Sequence, residues 1–343
     1  MQNEQMLRVM GSCGLTAALI AAASAVASLL LLGRKWRSPH QAMAAMGAVA
    51  GASAAAYLGC ALLDVLPHWP PKEIEPRFLY LVLPAAIAIE LAAAIPQVPR
   101  WIAWCLRVLL AATAGRVLLD KSRYLVDSDP DLPPWTTEHM LLILGGFAAA
   151  LLAVWAALAF LMHRSQDRAT PLAVAGVCAG SAATIMYSSY LTGGQIGLSL
   201  AISLAGAAMA FLVIPDPLNR SGLLGIGMVG LFSLLIMGRF FGKLTTTHAL
   251  ILFATPLLCW LPELPGVRRF WPWLRGVLRV ALVLIPVALV TLHAQRTFDE
   301  DTKPPDRPDE PTSDDYRNFQ PRVERSSPCR YTCSRTLRAI FGC

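Results

Sequence analysis

Charge is the first thing this sequence lacks. Only 15% of its 343 residues are Asp, Glu, Lys or Arg, where soluble domains carry about 25%. With 55% hydrophobic residues and a mean hydropathy of +0.52, the deficit excludes an ordinary soluble globular chain. Catalytic signatures are scarce too. There is no H-E-x-x-H and no H-x3-H, so no metalloprotease-type pair of histidines announces an enzyme. The glycine-rich run Gly222–Gly230 lacks the Lys-Ser/Thr ending of a phosphate loop and lies inside an apolar segment. A basic patch interleaved with aromatics is also missing, so the net charge of +7 does not point to nucleic acid. Basic residues in apolar chains of this kind sit in short loops and set orientation.

Cysteine is present but uninformative. Cys13, Cys60, Cys105, Cys178 and Cys259 stand alone inside apolar runs, where cysteine behaves as a small hydrophobe. Cys329 and Cys333 form a C-x3-C with Cys343 beyond, and no histidine lies near them. They read as free thiols, with a metal or disulfide as the alternative. Nothing in the chain implies a cofactor.

What the chain has is long apolar runs. A helix needs about 20 apolar residues to cross the hydrocarbon core. That ruler predicts ten transmembrane helices at 15–32, 42–63, 78–95, 101–119, 140–161, 171–190, 196–214, 222–237, 245–261 and 271–292. The first reads as an uncleaved helix rather than a removed signal, because its small residues lie mid-run. The runs are too long, and too free of alternation, for a membrane β-barrel. Segments 222–237 and 245–261 are the weakest: one is short and glycine-rich, the other carries three threonines and Pro256. Either could be re-entrant.

The expected fold is an all-α polytopic membrane helix bundle over 1–294, followed by a disordered polar tail over 295–343. Residues 299–315 are acidic and proline-rich and cannot bury a core. Arg330–Cys343 is basic with a few apolar residues, as a short membrane-surface segment would be. Lys and Arg divide almost evenly between the two sides, and the charges in Arg34-Lys35-Trp36-Arg37 tip the reading towards an outside N-terminus. The expected location is a bacterial cytoplasmic membrane.

Small residues recur every four positions at Gly47, Gly51, Ala55 and Gly59, at Gly176 and Gly180, and at Ser199, Ser203 and Ala207. Such stripes let membrane helices approach closely. They serve either internal packing or partner helices.

Few ionisable residues fall inside the runs. Glu90 and Arg107 lie symmetrically about the turn Pro96-Gln97-Val98-Pro99-Arg100. An antiparallel hairpin would place both about 12 Å from that turn at 1.5 Å per residue. Either charge alone is expensive in lipid, so pairing is expected. The pair is either a structural lock on the hairpin or a proton- or cation-handling carboxylate tuned by arginine. Arg116 lies two and a half turns beyond Arg107, on the opposite face. It has Asp120 at i+4 as a helix-end partner.

At one membrane face Asp64 and His68 would share a helix side at i, i+4. Glu138, His139, Tyr187, Tyr190, Arg239 and His248 fall near the same level. If they converge they could form an acid–base or metal site; otherwise they are ordinary interfacial side chains. The candidate binding residues are therefore Glu90, Arg107, Arg116, Asp64, His68, His139 and His248. The leading functional expectation is a permease-like protein for a small-molecule solute. A non-catalytic scaffold for partner membrane helices comes second, and a membrane-embedded enzyme third. In each case the bilayer is the first partner.

Overall fold

The computed structural model describes residues 37–66, 71, 73–120, 122, 136–165, 169–213, 221–264 and 271–302. Among the described residues there is no strand, and the protein is an all-α polytopic membrane helix bundle. Eight helices are long and apolar enough to cross a bilayer. They are α1 (Arg37–Leu62), α2 (Ile74–Ala94), α3 (Arg100–Leu119), α4 (Thr137–Ser165), α5 (Thr170–Tyr187), α6 (Leu191–Val213), α7 (Ser221–Phe240) and α9 (Pro272–Thr302). Before α9 comes α8 (Thr246–Ala254), which continues as a 3-10 helix, Thr255–Glu263. The expected first span at 15–32, His68, and the tail beyond 302 with Cys329, Cys333 and Cys343 lie outside the described residues.

Segment 222–237 is not re-entrant. It is α7, a continuous helix of 20 residues, about 30 Å long. It packs against α1 to α6 and α8. Its most apolar stretch is 89% buried, against 28% for α9. Glycine lowers helix propensity in water, but lipid offers the backbone no other partner. The glycines of α7 instead give its neighbours room: a methyl at Gly227 would fall 2.7 Å from Val174, and one at Gly230 would strike Leu200.

Segment 245–261 also crosses the bundle. Its first turn meets the end of α7, where Arg239 Nε donates to Thr246 Oγ1 (2.8 Å). Glu263, the last residue of the 3-10 helix, shares Arg279 with Thr170 at the start of α5. The far end of α5 in turn meets the α7–α8 link, through Lys243 N–H to the Ser188 carbonyl (3.0 Å). The segment therefore runs antiparallel to α5, and its 3-10 part packs on it. Nine α-helical and nine 3-10 residues span about 31 Å, because the 3-10 form rises 2.0 Å per residue.

The small-residue stripes are used inside the bundle. Gly51, Ala55, Gly59, Ser199, Ser203 and Ala207 are buried. Gly176 and Gly180 receive Leu284 and Val287 of α9. Beside them Thr291 Oγ1 lies 3.0 Å from Thr184 Oγ1 and 3.3 Å from the Gly180 carbonyl. Helices in lipid associate by such packing and hydrogen bonds, since lipid tails are as apolar as leucine.

The last described helix extends beyond the expected boundary at residue 294. Helix α9 continues past residue 294 to Thr302, helped by the packing of Phe298 on Tyr187 (ring centroids 6.0 Å). The first proline after it is Pro304. The compact unit that holds these helices ends at Asp301.

Candidate functional site

Helices α2 and α3 form the expected hairpin, closed by Val98 N–H to the Ile95 carbonyl (3.1 Å). Its symmetry brings Glu90 and Arg107 together as a two-pronged ion pair. Arg107 Nε donates to Glu90 Oε1 (2.9 Å) and Nη2 to Oε2 (2.8 Å). Glu90 is 1% exposed and Arg107 6%. The planar guanidinium matches both carboxylate oxygens at once, the strongest form of such a contact.

Three further groups seal the pair. The Arg107 guanidinium lies over Trp104 of α3 (5.1 Å) and Trp155 of α4 (5.3 Å). Each cation–π contact is worth about 0.5–2 kcal/mol. On the other side the Glu90 carboxylate lies against the bare backbone of α7 at Gly225. A methyl there would come within 2.8 Å of Cγ and closer still to the carboxyl group. The fork holds that carboxylate in place, so it cannot swing aside. Glu90 and Arg107 thus tie α2, α3, α4 and α7 at one point.

A second buried pair escaped the sequence reading. Arg279 of α9, 1% exposed, donates from Nη2 to Glu263 Oε1 (2.8 Å) and from Nη1 to Thr170 Oγ1 (3.3 Å). Its signal in the sequence is Glu263, the lone carboxylate between Asp216 and Asp299.

The opposite-face residues that are described have separate partners. Helix α1 ends at Leu62, and Asp64 adopts a left-handed conformation (φ 55°). Val65 N–H reaches back to the Cys60 carbonyl (2.9 Å) and Asp64 N–H to Ala61 (3.1 Å), the paired bonds of a Schellman stop. Asp64 therefore shares no helix face with position 68. His139 and His248 each stand three residues after a capping threonine. Their backbone N–H groups point to Thr136 Oγ1 (3.4 Å) and Thr245 Oγ1 (3.3 Å). His139 Nδ1 lies 2.8 Å from Thr136 Oγ1, while His248 meets His293 edge to face (5.2 Å). Tyr190 donates to Glu75, and Tyr187 packs on Phe298. Burial, then the carboxylates of Glu75 and Glu73, push the Tyr190 phenol above its usual pKa, so it stays a donor. Among the described residues no three His, Cys, Asp or Glu gather as a metal would require.

Arg116 faces away from Arg107, as predicted, and is exposed. Asp120, however, pairs with Arg77 of α2 (3.6 Å) rather than with Arg116. Arg116 Nη1 lies 3.4 Å from Met140 Sδ.

Comparison of the chain with models of known protein families and with curated proteins gives no match.

Proposed function

We propose that this multi-pass membrane protein is a permease-like carrier for a small solute, with Glu90–Arg107 as the lock of its closed state. The observation that carries the reading is the placement of the pair. An ionisable pair inside a membrane protein is costly and marks function by default. This one lies where four helices meet, on a helix that is itself irregular: α2 contains a π-helical stretch, Phe78–Val82. Segment 246–263 likewise changes from α to 3-10 geometry at Thr255-Pro256. Interrupted spans are typical of transporters. Most of the small residues in the stripes, which would have argued for partner helices, are buried within the chain, Gly47, Gly176 and Gly180 being half-buried.

The interruptions fall in the third and ninth predicted segments. Two inverted five-helix halves would align the third with the eighth, so they lend that arrangement no support.

The scaffold reading rests on a specific observation of its own: both Glu90 oxygens are bound to Arg107. Cysteine accessibility separates the two. Native cysteines are replaced, and Ala86→Cys is introduced one turn from Glu90, at a fully buried position. The carrier reading expects an impermeant thiol reagent to label it from at least one side of a sealed vesicle, faster in Glu90→Gln. The scaffold reading stands instead if neither side is labelled while Asp120→Cys, at an exposed helix end, reacts.

A further inference from the structure

A lateral groove of about 380 Å³ lies between the start of α2 and the end of α3. It is separate from Glu90 and does not depend on the carrier reading. One part is apolar, formed by Leu81, Ala112 and Val117; the other is polar, formed by Arg77, Thr113, Arg116 and Asp120. Leu81, Ala112, Thr113 and Arg116 are exposed on the side of the bundle, so the groove opens where lipid lies. Its polar part falls in the last turns of α3, at the level of headgroups rather than chain ends.

The polar part is built rather than incidental. Arg77 is 5% exposed, donates to the Asp120 backbone carbonyl and ion-pairs with its carboxylate at 3.6 Å. That fixes one wall and balances its charge. Among the described lining residues, Arg116 then leaves a net positive charge facing the opening. The π-helical stretch Phe78–Val82 sets the position of Leu81 on the opposite wall, and π-turns occur often at functional sites.

We infer that this groove holds an anionic phospholipid, its phosphate at Arg116 and its chain along Leu81, Ala112 and Val117; the Thr113 hydroxyl is already donated to the Leu109 carbonyl (2.9 Å). Both halves of the ligand are matched: basic pockets between membrane helices take anionic headgroups, and the apolar wall continues the bilayer. A free phosphate would use only the polar half.

The test is thermal melting of the purified full chain in detergent, with phosphatidylglycerol, phosphatidylcholine or inorganic phosphate added. Phosphatidylglycerol is expected to raise the Tm clearly more than phosphatidylcholine. Arg116→Gln should remove at least half of that difference, and Arg116→Lys should keep most of it. Arg164→Gln, at another exposed arginine, should leave it unchanged. Equal shifts for the two lipids, or a full difference in Arg116→Gln, would overturn the assignment. So would a shift reproduced by inorganic phosphate, which would make the site one for a free anion.

Discussion

Glu90–Arg107 joins two antiparallel neighbours inside the bundle, whereas Glu263–Arg279 closes the end of a 3-10 segment. The first is enclosed on every side: both carboxylate oxygens are bound, two indoles cover the guanidinium, and Gly225 lies against the carboxylate. In the second, Arg279 is equally buried, but Glu263 retains 11% side-chain exposure and uses one oxygen on Arg279. The difference is one of escape. If its arginine is lost, Glu263 is near a surface where water can reach it, and Glu90 is not. A buried charge left alone costs far more than a pair is worth.

The largest expected effect follows directly. Arg107→Gln should lower stability by about 3–5 kcal/mol, read as a fall in detergent Tm. Arg279→Gln should lose less than half as much. Equal losses would erase the distinction between the two sites.

Glycine neighbours sharpen it. Gly225→Ala puts a methyl into the Glu90 carboxylate and should cost about 1–3 kcal/mol. Much of that loss should vanish in a Glu90→Ala background, because the two positions touch. Gly276, one turn before Arg279, has room: among the described residues a methyl would meet only Ala169, at 3.5 Å. Gly276→Ala should be neutral or stabilising by up to about 1 kcal/mol, the helix-propensity gain.

A smaller loss is expected from Thr170→Val. It removes the hydroxyl that Arg279 Nη1 approaches at 3.3 Å and should cost about 0.5–1.5 kcal/mol, measured by the same melts. Smallest is Asp64→Gly, remote from both pairs. Asp64 sits at φ 55°, where glycine escapes a left-handed penalty of about 1–2 kcal/mol but adds about 0.4–1 kcal/mol of unfolded-chain entropy, so the variant should gain up to about 1 kcal/mol or stay level. A clear loss there would mean the carboxylate does more than end α1.

The same contrast explains what the sequence could show. Glu90 and Arg107 were legible because two regular helices about a short turn keep their registers symmetric. Glu263 and Arg279 were not: Glu263 ends its segment while Arg279 stands about two turns into α9, so the two are not symmetric about the connection. The helical placement of Asp64 failed because an aspartate takes the place that glycine usually holds at a helix stop; His68 lies outside the described residues. Helix α7 was underrated because its glycines read as weakness, when their use depends on which side chains come against them. Hydropathy alone predicts ten spans. Eight are long apolar helices, a ninth is the composite 246–263, and the one at 15–32 lies outside the described residues.

The central claim is that Glu90 and Arg107 act as one buried unit. The most direct test is a double-mutant cycle in detergent melting, using wild type, Glu90→Gln, Arg107→Gln and the double variant. The account predicts that each single change destabilises and that the double recovers much of the loss, a large coupling energy. Strictly additive losses, or a Glu90→Gln variant as stable as wild type, would contradict it.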